Sequence, residues 1–112
     1  MSLIWKILLA SDWEAAQAAG VYQGSDLDRA DGYIHLSTPA QAAETARRHF
    51  AGQENLVVLE IETEDLAPDL RWEPSRGCDL FPHLYGHLDP VRVRRVFEAP
   101  LDDQGVPQVE GR

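Results

Sequence analysis

The sequence has no cysteine pair. Its one cysteine, Cys78, cannot close a disulfide within the chain, and the absence of a CxxC element excludes the usual structural zinc site. Long hydrophobic runs are missing as well. No stretch approaches the ~20 apolar residues that cross a bilayer, so no membrane partner is expected. The opening MSLIWKILLASDWE carries a short apolar run interrupted by Lys6, without the basic region, longer apolar stretch and small-residue cleavage site of a signal peptide. Nothing calls for an oxidising compartment, and the expected location is cytoplasmic. Basic residues are scarce: 10 Lys and Arg stand against 19 Asp and Glu, for a net charge of −9. Such a surface repels phosphate backbones, which disfavours duplex nucleic acid as a partner. A small anionic ligand in a local pocket remains compatible with it.

What is present describes one domain. The 112 residues are 44% hydrophobic, enough for one core and too many for global disorder. Residues 1–100 read as a single α+β domain, and the polar stretch 101–112, with its glycines and proline, as a frayed tail. Leu3–Ala10 is a first strand. Ser11 with Glu14 reads as a capping box opening a helix Asp12–Ala19 that stops at Gly20. Val21–Asp31 is a loop with a helical turn around Ser25–Arg29. Tyr33–Leu36 is a strand. Thr38, Pro39 and Gln41 form a second capping box ahead of a helix Pro39–Phe50. Asn55–Thr63 is the clearest strand, with Val57, Leu59 and Ile61 on one face and Glu60 and Glu62 on the other, facing solvent or a cleft. Leu70–Glu73 and Leu80–Gly86 are extended. Val91–Ala99 is the last strand; its pattern slips, and a bulge at Arg94–Arg95 restores it.

Two segments carry chemistry. In Tyr33-Ile34-His35-Leu36-Ser37, strand alternation sends Tyr33, His35 and Ser37 one way, and Ile34 and Leu36 to the core. A phenol, an imidazole and a hydroxyl thus gather just before a helix, whose free amides favour an anion such as phosphate. In LFPHLYG, Phe81, His83 and Tyr85 share a face, giving a second row that could oppose the first across a cleft. Histidine exchanges protons near neutral pH, so His35 and His83 are the candidate catalytic residues, with Tyr33, Ser37, Thr38 and Tyr85 as ligand contacts. Trp72 beside Glu73 suits a sugar or nucleoside, although a core tryptophan is the simpler reading. Glu60, Glu62 and Glu73 are the carboxylates on strands that could act as acid or base. His83 and His87 have the spacing of a zinc pair, but Pro82 and Gly86 oppose the helix it needs, so no metal is assigned. Cys78 near Arg76 lacks an arranged base for a nucleophilic role.

The segments DWEAAQAAG, DGYIHLSTPAQ, LVVLEIE, LRWEP and LFPHLYGHL, in this order, resemble the bacterial family called domain of unknown function 952 over about residues 3–100. That resemblance implies an ADP-ribosyltransferase-like fold: two short sheets around a cleft, with about two helices. Transferases of that superfamily hold NAD through a strand-borne His or Arg with a hydroxyl residue two places on. RNA 2′-phosphotransferases of the same superfamily carry a similar His-Leu-Ser. His35 and Ser37 match this element, and NAD is the implied cofactor. The resemblance also implies a late-strand glutamate, whereas here VRVRRVFE offers only Glu98 at its exit. Three readings therefore stand: a nucleotide-handling domain with glycosyl- or phosphotransferase-type activity, a non-catalytic small-molecule or protein interaction module, and a purely structural use of both histidine motifs.

Overall fold

The computed structural model describes residues 2–75 and 79–109. Among these described residues, six strands and three α-helices follow the order β1 (Leu3–Leu9), α1 (Ala10–Ala19), α2 (Asp26–Asp31), β2 (Ile34–His35), α3 (Pro39–His49), β3 (Leu56–Glu62), β4 (Leu70–Pro74), β5 (Leu80–Leu84) and β6 (Val93–Glu98). They form two antiparallel three-stranded sheets, β1-β3-β6 and β2-β5-β4. A single bridge between Trp5 and Ser37 joins the sheets, through Trp5 N–H to Ser37 O at 2.7 Å and Ser37 N–H to Trp5 O at 2.9 Å. This is a small α+β domain with two sheets, as expected, and three helices rather than about two. Among the described residues no helix is long and apolar enough to cross a membrane.

The first sheet is covered on both faces, and strand alternation explains how. Ile4 and Leu8 of β1, with Val57, Leu59 and Ile61 of β3, pack against α1 and the second sheet. Trp5 and Ile7, with Leu56 and Val58, pack against Ala42 and Ala46 of α3. Lys6 lies between Ile4 and Leu8 in the alternation, so its side chain is carried to the inner face. The expected solvent-facing carboxylates of β3 are a correction that follows from this double cover. Glu62 is buried and accepts from Ser2 N–H at 2.7 Å. Glu60 accepts from the Trp5 indole at 3.0 Å and pairs with Arg95 at 3.2 Å.

Local details differ from the sequence reading where backbone geometry outweighs side-chain pattern. α1 begins at Ala10, and its N-cap Leu9 makes no side-chain bond, so the Ser11–Glu14 capping box does not form. The Ser25 turn is a full short helix, α2, with a reciprocal Ser25–Asp28 capping box. The Thr38–Gln41 box forms as read. The bulge also forms: Glu60 faces Arg95 while Ile61 faces Val93, leaving Arg94 as the extra residue. Residues 101–109 of the polar tail make contacts of their own. Leu101 bridges Pro107, and Val109 is buried in the second core cluster with Ala99.

Candidate functional site

The site grows from the pairing of two short strands. Gly32, at φ 88°, closes α2 in the left-handed conformation and turns the chain into Tyr33. β2 then pairs antiparallel with β5, setting Ile34 against Leu84 and His35 against His83. Ile34 and Leu84 are both buried in the main core. Alternation therefore puts both imidazoles on the opposite face, with ring centroids 5.6 Å apart. The two polar rows do not oppose each other across a cleft. They are neighbours in one sheet.

Carboxylates hold each ring by Nδ1. Asp28 Oδ1 lies 2.6 Å from His35 Nδ1 and accepts from His35 N–H at 3.1 Å. Asp28 Oδ2 accepts from Lys6 Nζ at 2.8 Å and from Ser25 N–H at 2.9 Å. Lys6 also donates to His35 O at 3.0 Å, fixing the strand that bears the ring. Burial opposes the charge on Asp28, but the His35 bond, the Lys6 ammonium and the Ser25 amide outweigh it and hold the carboxyl well below the usual range. Burial likewise pulls the Lys6 ammonium below its ordinary value, against the nearby carboxylate. On the other side, Glu73 Oε1 lies 2.8 Å from His83 Nδ1 and accepts from Tyr85 Oη at 2.7 Å. Those two bonds keep the Glu73 carboxyl below its ordinary range, and the bond to Glu73, with burial, pushes the Tyr85 phenol up.

Ionised carboxylates only accept, so both histidines carry a proton on Nδ1. Nε2 of His83 is then the nitrogen that can address a ligand. Nε2 of His35 sits 3.0 Å from Asp31 Oδ2, a contact that is a hydrogen bond when that ring holds both protons. Tyr33 stacks on His83 at 4.1 Å and 25°, and lies 4.6 Å from His35 and 5.2 Å from Tyr85. Burial, then the Asp31, Glu73 and Asp28 carboxylates, push its phenol up, so it stays a neutral donor.

A cavity of about 300 Å³ opens beside this cluster, lined by His35, His83, Ser37, Asp28, Asp31 and Thr45 among others. Of the residues expected from sequence, His35, Ser37 and His83 border it. Ser37 is buried, with Oγ 2.9 Å from Thr45 Oγ1. Tyr33 and Tyr85 belong to the ring cluster but do not line the cavity. Thr38 uses its hydroxyl to cap α3 through Gln41 N–H at 3.2 Å. Trp72 is no core residue: it sits on the outer strand β4, 42% exposed, and does not reach the cavity. Glu98 faces Val57 in the other sheet. Arg76 and Cys78 lie outside the described residues. His87 is exposed, whereas His83 is buried, so the two do not act as a pair.

Sequence reasoning missed Lys6, Asp28, Asp31 and Thr45. A signal existed for the first two. Lys6 is the one charge in an otherwise apolar strand, at an inward position, and a buried lysine requires a partner. Ser25-x-x-Asp28 is itself a capping pattern that marks a helix start.

No curated protein matches the chain. The crystal structure of CC0527 from Caulobacter crescentus is 52% identical, with a TM-score of 0.93, covering 96% of this chain and 94% of that one. The solution NMR structure of CC0527 is 53% identical, with a TM-score of 0.87 and coverage of 96% and 93%. The family described as "Protein of unknown function (DUF952)" matches residues 7–98. That match spans most of the chain, and the chain belongs to this family.

Proposed function

We propose that the cavity binds a nucleotide-type ligand, of the NAD, ADP-ribose or 2′-phosphate class, and that His35 and His83 exchange protons with it. The observation that carries this reading is the side-by-side register of two imidazoles, each held through Nδ1 by a carboxylate, on the wall of one cavity. In this reading Nε2 of His83 takes a proton from an attacking hydroxyl or water. Nε2–H of His35 gives one to the leaving oxygen, moving away from Asp31 to do so. Such positioned transfers typically contribute about 10²–10⁴-fold in rate. A cavity of about 300 Å³ is at the small end of ligand sites, and fits one ribose or phosphate moiety. The H-x-S spacing of His35 and Ser37 ahead of α3 supports kinship with ADP-ribosyltransferase-like folds.

The test is a thermal-shift and calorimetric titration with NAD, ADP-ribose and a 2′-phosphorylated nucleotide. At 100 times its dissociation constant a ligand adds roughly 2.7 kcal/mol of stability. The expected result is binding by at least one of them, abolished by His83→Ala in a folded protein. No shift with any of the three overturns the reading. A second reading, a non-catalytic binding module, is favoured by one observation: Glu98, the late-strand glutamate, borders a different pocket. Binding without turnover of NAD or of a 2′-phosphate selects it.

A further inference from the structure

Lys6 is the one charged side chain of β1, and it is spent inside the protein. Its side chain is 7% exposed, and Nζ donates to Asp28 Oδ2 at 2.8 Å and to His35 O at 3.0 Å. A buried ion pair is a poor device for stability, because apolar side chains of similar volume often serve as well. Both acceptors of Lys6, however, belong to the support of His35. The Asp28 carboxylate is divided between two sides. Oδ1 serves His35, accepting from its N–H at 3.1 Å and lying 2.6 Å from Nδ1. Oδ2 serves Lys6 and the Ser25 N–H, at 2.8 and 2.9 Å. One backbone amide stands on each side, so the amides balance, and the ammonium is what distinguishes the sides. The support of His83 is built differently: the Glu73 side chain is 34% exposed, and its Oε1 is shared by His83 and Tyr85.

We infer that Lys6 is a positioning residue for His35: its ammonium keeps Asp28 an ionised acceptor on Nδ1, so that Nε2 is the nitrogen that exchanges a proton at the cavity. This rests on the reading of His35 as the proton donor of the proposed reaction. Lys6 also offsets charge. The two carboxylates of α2, Asp28 and Asp31, lie 2.6 and 3.0 Å from the ring nitrogens. Facing them without Lys6, the ring would be held as imidazolium and would keep the proton it is asked to give. The other titratable groups around it are Tyr33 on its own strand side, His83 on β5, Glu73 of β4 behind His83, and His49 at the end of α3 on the cavity wall. Among these described residues Lys6 alone is a lysine or arginine.

Ring-nitrogen NMR of His35 tests this with no ligand present, so the outcome does not depend on nucleotide binding. In Lys6→Met the His35 ring is expected to keep its second proton to a higher pH than in the parent, while the His83 signals move less. Asp28→Asn supplies a readout that a merely structural role would not move. An amide has one accepting oxygen and one NH₂. The ammonium draws the oxygen to its own side, the NH₂ turns to the ring, and Nδ1 becomes the acceptor. Neutral His35 is therefore expected to change from the Nδ1–H to the Nε2–H form. Adding Lys6→Met to Asp28→Asn leaves only the two balanced amides, and the Nε2–H preference is expected to be lost. Either single variant decides alone if the other does not fold. A His35 titration that is unmoved or lowered in Lys6→Met, or an Nδ1–H form retained in Asp28→Asn, overturns the inference and leaves the ligand reading to its own titrations. Failure of all the nucleotides to bind sinks that reading and leaves these ring signals as they are.

Discussion

Removing the Asp28 carboxylate tests the network beneath His35 most severely. Asp28 and Lys6 are buried, with side chains 2% and 7% exposed and oxygen and nitrogen 2.8 Å apart. At an effective dielectric of 20, two unit charges at that distance attract by about 6 kcal/mol, set against a desolvation cost of several kcal/mol per ion. The intact pair is therefore close to neutral for stability, but a lone buried ammonium is not. Asp28→Ala also strips the partner of Ser25 N–H, His35 N–H and His35 Nδ1. The expected loss is about 3–5 kcal/mol in urea unfolding. Adding Lys6→Met to that background is expected to return about 2 kcal/mol, since it replaces the stranded charge with an apolar side chain of similar length. Burial lowers the Lys6 pKa, so in Asp28→Ala the folded state binds fewer protons than the unfolded chain. The deficit should then shrink as pH rises toward the ordinary lysine range. A loss under about 1 kcal/mol, or no recovery from Lys6→Met, refutes the buried-charge reasoning.

Acid should destabilise the parent through the same group. Asp28 and Glu73 both have folded pKa values below their ordinary range, so their stabilisation is complete above that range and fades as pH falls below about 5; urea midpoints should drop there, and drop less in Asp28→Asn. Glu73 fixes the His83 tautomer: imidazole nitrogen NMR should show neutral His83 protonated at Nδ1, with that preference lost in Glu73→Ala. Gly24 sits at φ 100°, where an added Cβ would meet Asp28 Cβ at 2.7 Å, so Gly24→Ala should lower stability by about 1–3 kcal/mol and displace the carboxylate that holds His35; an unchanged melting temperature contradicts this.

Much of this was legible in the residues because local rules and the fold agree. The Thr38–Gln41 box, the Gly20 stop and the Arg94 bulge are short-range features whose chemistry is complete within a few residues. The shared face of His35 and His83 follows from alternation alone, since Ile34 and Leu84 had to turn to the main core on the other face. Alternation cannot say which strands pair, so it does not distinguish two rows facing across a cleft from two rows side by side in one sheet, as they are here. Alternation turns Glu60 and Glu62 toward solvent or a cleft, as on a sheet with one wet face, but α3 and the tail cover the second face of β3. Trp72 misled in the other direction: its size suggests burial, yet β4 is an outer strand. The supports for the histidines come from distant elements, Lys6 from β1 and Asp28 from α2, and only tertiary packing brings them 2.8 Å apart.

The central claim, that His35 and His83 border one space a ligand can enter, is tested most directly by following the ring signals of all four histidines during an ADP-ribose titration. The account expects the His35 and His83 resonances to move together along one binding curve while His87, exposed and away from the cavity, stays still. Movement of His87 alone, or separate curves for His35 and His83, contradicts it.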